Sequence, residues 1–124
     1  MKLNEIKEIL ECEILTGEDT LQGEISYGCG CDLMSDVLAF SQEGSVLLTG
    51  LTNIQSVRTA YIAGCKAIVY VRGKKPDAET IKIAREKGMP LLATNLRLYD
   101  ACGKLYVKGL KNVLESAKSV PVKE

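Results

Sequence analysis

Two groups of residues in this chain have side chains and spacing suited to chemistry. The first comprises Thr49-Gly50-Leu51-Thr52, Arg72-Gly73-Lys74-Lys75 and Thr94-Asn95. Hydroxyls, a glycine in each of two segments and three cations suit a phosphate or carboxylate. Glycine lets backbone amides approach an anion, and arginine offers a forked set of donors. Thr49, Gly50, Thr52, Arg72, Gly73, Lys74 and Thr94 are therefore candidate ligand residues for a small anion. The competing reading is that they are ordinary caps and turns, since Pro76-Asp77 suits the start of a helix and Thr and Asn are frequent N-caps. The second group is Cys29-x-Cys31, which with Cys12, Cys65 or Cys102 has the donors of a thiolate metal site or an iron–sulfur cluster. Structural zinc ligands come in closely spaced pairs, whereas the other three cysteines are isolated, so free thiols are the default and no metal or cofactor is expected.

Most enzymatic motifs are missing. The 124 residues include no histidine, which removes Ser-His-Asp and Cys-His catalysis and imidazole zinc sites. Gly28-Cys29-Gly30 is followed by Leu33 where a dinucleotide fingerprint wants its third glycine. Gly73-Lys74 lacks the earlier glycine and the Ser or Thr of a phosphate-binding P-loop. The acid pairs Glu11 and Glu13, and Asp32 and Asp36, read as solvated faces rather than dyads. No catalytic residue is expected.

The net charge is zero, but its distribution is uneven. Residues 1–43 carry ten acids and two bases, a net of −8, and residues 44–124 carry six acids and fourteen bases, a net of +8. The simplest consequence is that the two parts pack together and complement each other; the sharper one is an anion site in the basic part. The bases form no dense stripe and aromatics are 5% of the chain, which disfavours nucleic acid as a partner. No apolar run approaches membrane-spanning length, and MKLNEIKEIL carries acids where a signal peptide wants apolar residues. Five cysteines, an odd number, then suggest reduced thiols and a cytoplasmic location.

The elements that must position these residues follow from periodicity. Residues 3–11 place Leu3, Ile6, Ile9 and Leu10 at helical spacing. Residues 12–15 and 21–27 read as short strands around a turn, and residues 32–40 as a helix with Leu33, Asp36, Val37 and Phe40 on one face and Ser35 as its cap. From Ser45 the pattern sharpens. SVLLT, AIVYV (67–71) and LLAT (91–94) are too short for helices and read as buried strands. Between them lie helices 53–63, with Ile54, Val57, Ala60 and Tyr61 facing one way, and 77–87, with Ile81 and Ala84 inward; Gly64 and Gly88 stand as C-terminal stops. Alternation at this spacing implies parallel strands joined by right-handed crossovers, an α/β fold. The candidate anion residues then all lie beyond the carboxyl ends of strands, where such sheets bind ligands. Residues 96–106 form another helix, and Leu110, Val113, Leu114 and Ala117 a final amphipathic one.

Taken in order, GCGCDLMSDVLAF, SVLLTGLTNIQSVRTA, AIVYVRGKKPDAETIKIAREKGMPLLAT and LYDACGKLY resemble a stand-alone DRTGG domain of the kind found near iron-hydrogenase genes. The amino-terminal domain of HPr kinase/phosphorylase is related to that family in fold. The resemblance covers about residues 1–110, leaving 111–124 as a C-terminal amphipathic helix and tail. It implies a three-layer α/β/α sandwich with a mainly parallel sheet and a regulatory or assembly role without catalytic activity. It also implies a homodimer; with the candidate anion residues, the expected role is to sense a small anion such as an adenine nucleotide, the alternatives being an adaptor docking on a redox assembly or a thiolate metal-binding protein. No contiguous Asp-Arg-Thr-Gly-Gly is present: Leu51-Thr52 stands where many relatives have Asp-Arg, and Val71-Arg72-Gly73 replaces the later Thr-Gly-Gly-like turn.

Overall fold

The computed structural model describes residues 1–112. Its opening helix α1, Leu3–Leu10, buries Leu3, Ile6 and Leu10, and Glu5 accepts the Lys2 amide at 2.8 Å to close its first turn. Strand β1, Glu13–Thr16, and a 3-10 turn, Glu18–Thr20, follow. Then come β2, Tyr27–Gly30; α2, Met34–Phe40; and β3, Ser45–Thr49. The chain continues through α3, Ile54–Ala63; β4, Ala67–Tyr70; α4, Ala78–Lys87; β5, Leu91–Ala93; and α5, Leu98–Val107.

The strands form one sheet in the order β1-β5-β4-β3-β2. The four from β2 to β5 run parallel in chain order, and β1 lies antiparallel beside β5. Alternating side chains divide the core into two layers, as a pleated strand requires. Val46, Leu48 and Val69 meet α1 and α5 on one face; Leu47, Ile68 and Tyr70 meet α2, α3 and α4 on the other. Each fully buried Leu or Ile contributes about 1.5–3 kcal/mol, so the central strands, with no exposed residue, anchor the fold. The expected α/β class and the mainly parallel sheet between helical layers are observed.

The N-terminal third departs from the sequence expectations. Residues 21–27 do not form a strand, because their carbonyls serve α1: Gly23 accepts from Leu3 and Leu21 from Asn4. The strand lies later, over Tyr27–Gly30. A side chain at Gly30 would overlap the Cys102 sulfur, so glycine is there to admit α5 close to the sheet edge. Ser35 is inside α2 rather than its cap, the N-cap being Leu33, which makes no side-chain cap bond. Of the expected inward face of α2 only Val37 is buried; Leu33 and Phe40 are exposed. Tyr61 also faces out, with the Lys87 ammonium 4.4 Å from its ring centre. Beyond α5, Gly109 takes φ 107° and Leu110 tucks under the sheet edge rather than starting a helix. The rest of that expected helix, 113–124, is outside the described residues.

Candidate functional site

Because β2 to β5 are parallel, their carboxyl ends share one edge, and the loops leaving them meet there. The loop after β3 begins with Thr49 and Gly50, both buried. The loop after β4 makes a tight turn in which Arg72 and Gly73 both adopt left-handed backbone, with φ 62° and 70°. For arginine this conformation costs about 1–3 kcal/mol. The turn is held by Arg72 and Gly73 amides donating to the carbonyls of Leu96, at 2.8 Å, and Thr94, at 2.9 Å. It lays the Arg72 guanidinium across Gly50, where a side-chain carbon would fall 2.6 Å from Nη2. Arg72 and Lys74 remain exposed and enter no ion pair among the described residues, whereas Lys75 is paired with Glu13 at 2.8 Å.

The edge thus brings Thr49, Gly50, Arg72, Gly73, Lys74 and Thr94 together, with Thr52 half-buried in the loop after β3. Several of the loop amides are spoken for. Gly50 donates to Asp32 Oδ1 at 2.8 Å, and Lys74 donates to the Val71 carbonyl. The two threonine hydroxyls face inward as well: Thr49 donates to Asp32 Oδ1 at 2.9 Å, and Thr94 to the Leu10 carbonyl at 2.7 Å. What the edge offers a ligand is therefore the Arg72 and Lys74 side chains, with half-buried Thr52 alongside, carried on a rigid base. Asn53 caps α3 and Asp77 caps α4 through their side chains, the structural role expected of Asx residues at these positions.

Asp32 was not among the residues that sequence alone singled out for this site. It lies two residues beyond the end of β2, and the Gly50 amide bond holds its carboxyl below the ordinary carboxylate range. Partial burial works against this; the Thr49 hydroxyl and the nearby Arg72 and Lys74 charges reinforce it. The available signal was an acid at the end of a strand, and it was hidden because that strand was placed too early in the chain.

The cysteines do not assemble a metal centre: among the described residues no group of three or more Cys, Asp or Glu is placed to hold an ion. Cys29 and Cys31 lie on the α2–α4 side of β2, and Cys102 packs on the opposite face. Burial pushes the Cys29 thiol up to about 11, with the neighbouring Cys31 and Cys65 adding to it. From an ordinary 9.0 that shift cuts the thiolate fraction near neutral pH about 100-fold, and the thiolate is the reactive, metal-binding form. Grooves border α5 as well, among them one of about 200 Å³ reached by Gly28, Gly30 and Tyr106, and one of about 710 Å³ between Leu96, Tyr99, Gly103, Tyr106 and Val107.

No family model matches this chain, and no curated protein matches it in sequence. Among solved structures it is similar to the crystal structure of the CBS and DRTGG domains of the regulatory region of Clostridium perfringens pyrophosphatase, complexed with its activator diadenosine tetraphosphate. The superposition has a TM-score of 0.68 at 16% identity and covers 99% of this chain and 51% of that one. The chain therefore spans about half the length of that neighbour. The shared property is the α/β, DRTGG-like fold. No helix among the described residues is long and apolar enough to cross a membrane.

Proposed function

We propose that this chain is a non-catalytic, cytoplasmic regulatory domain that binds a small anionic ligand of the adenine-nucleotide class through Arg72 and Lys74. The observation that carries this reading is the Arg72-Gly73 turn. An arginine held in left-handed backbone, its guanidinium laid over a buried glycine and free of any ion pair among the described residues, is an exposed anion receptor on a fixed base. Support comes from the fold shared with a regulatory region whose activator is a dinucleotide. The absence of histidine fits a role without acid–base catalysis.

A thermal-shift titration with ATP, ADP and AMP tests it. A ligand at a hundred times its dissociation constant stabilises by about 2.7 kcal/mol. Arg72→Ala is expected to weaken that binding by about 1–3 kcal/mol, the contribution of a charge-assisted hydrogen bond, while the variant stays folded. A flat response to all three nucleotides, or an Arg72→Ala chain that binds as the wild type does, rejects the site.

A second reading, an adaptor that docks on a redox assembly, is favoured by the outer face of α5. Tyr99 and Val107 there are 89% and 80% exposed, beside Tyr106 and the 710 Å³ groove. Contiguous apolar surface of this kind marks contact sites. The same face would serve a homodimer. Sedimentation equilibrium separates the two: a dimeric wild type made monomeric by Tyr99→Ser with Val107→Ser assigns the face to self-association. A monomeric wild type leaves it to another protein, and a double variant as dimeric as the wild type excludes the face from self-association.

A further inference from the structure

Two side chains of opposite charge converge on Gly50. Arg72 lies over its α-carbon, and Asp32 takes its amide hydrogen. Asp32 is not a floating surface acid: Oδ1 accepts from the buried Gly50 amide at 2.8 Å and from the buried Thr49 hydroxyl at 2.9 Å, so the carboxylate is pinned to the base of the loop after β3. Both bonds fall on the same oxygen, and Oδ2 has no partner among the described residues.

Resting on the reading of the Arg72 loop as a ligand site, we infer that Asp32 sets its specificity: Oδ2 accepts a hydrogen from a ligand hydroxyl or amine, so the site takes a phosphorylated ligand that also carries such a donor and disfavours a bare inorganic phosphate. The physical argument is one of sign. An ionised carboxylate only accepts hydrogen bonds. The Gly50 amide and the neighbouring Arg72 and Lys74 charges keep Asp32 in that form. A simple polyanion entering beside it gains two cations and meets one fixed negative charge at close range. A phosphorylated sugar or nucleoside avoids that repulsion by turning a hydroxyl or amine toward Oδ2 while its phosphate meets Arg72 and Lys74. The Gly50 amide and Thr49 hydroxyl, already filled by Oδ1, are not available to the phosphate, so the charged part of the discrimination falls to Asp32, Arg72 and Lys74.

The test uses the full chain, with ATP and inorganic tripolyphosphate as probes in isothermal titration at low salt. Asp32→Asn keeps an oxygen for Gly50 and Thr49 and turns the outward group from acceptor to donor. The wild type is expected to prefer ATP over tripolyphosphate by about tenfold or more. In Asp32→Asn, ATP weakens about tenfold, tripolyphosphate tightens, and the preference collapses. Unchanged preference in the variant overturns the assignment of Asp32 while leaving the Arg72 site standing. A wild type that binds tripolyphosphate as tightly as ATP overturns it too, and does so even if the variant fails to fold. A wild type that binds neither probe removes the site itself, and Asp32's role with it.

Discussion

Replacing Tyr70 by alanine is expected to lower the unfolding free energy by about 3–5 kcal/mol, enough to leave a domain of this size marginal or unfolded at 37 °C. Tyr70 is fully buried at the end of β4, in the layer formed by α2, α3 and α4, and its hydroxyl meets Ser56 Oγ at 2.8 Å. Truncation leaves a cavity in the layer where α3 and α4 meet the sheet and removes one of the two partners of the Ser56 hydroxyl, which keeps its bond to the Asn53 carbonyl. Tyr70→Phe isolates the second effect and should cost only about 1 kcal/mol. Urea denaturation of the pair measures both. If Tyr70→Ala loses less than Tyr70→Phe plus about 1 kcal/mol, the layer collapses onto the gap and the packing described for it is wrong.

Thr94→Val is the second large effect, with an expected loss of about 2–4 kcal/mol. The Thr94 hydroxyl donates to the Leu10 carbonyl at 2.7 Å and accepts the Leu96 amide at 3.2 Å, tying the end of α1 to the turn after β5. Valine has the same shape but leaves the buried Leu10 carbonyl and the part-buried Leu96 amide without that hydroxyl, and a buried orphan costs about 1–3 kcal/mol. The substitution also separates two roles at the candidate site. A chain that melts early yet binds nucleotide with unchanged affinity, once folded, assigns Thr94 to the scaffold. A chain of normal stability with weakened binding assigns it to the ligand instead.

These two residues show where the sequence was readable and where it was not. Tyr70 sits in a run of apolar, β-branched and aromatic residues bounded by helical segments, and such a run in an alternating pattern means a central strand. The same logic located β3, β5 and the helices between them to within a residue or two. It also puts Arg72, Gly73 and Lys74 at the carboxyl edge of the sheet. Thr94 was placed at that edge correctly, but the direction of its hydroxyl depends on α1, eighty-four residues away, and no local pattern encodes that. The first 43 residues were harder for a related reason. Gly28 and Gly30 look like strand breakers, yet they occupy β2 because Leu110 and Cys102 approach the sheet edge there. Leu21 and Gly23 look extended and apolar enough to pair, yet their carbonyls are taken by the start of α1. The end of β2 at Gly30 rather than Tyr27 is what brings Asp32 close to the end of a strand, beside Gly50.

The sheet order has a consequence for how the chain is made. Both outer strands, β1 and β2, come from the acid-rich first 43 residues, and the strand that β1 needs, β5, is synthesised last: Glu13 pairs with Ala93. During translation the β1 segment must therefore wait about eighty residues for its neighbour, while β2 to β4 can assemble in the order they emerge. A waiting strand with unpaired backbone is a hazard for aggregation, and excess negative charge on the waiting segment opposes it by repelling other nascent copies. The uneven charge, whose simplest consequence is complementary packing of the two parts, then also acts against association of the unfinished sheet edge until β5 leaves the ribosome.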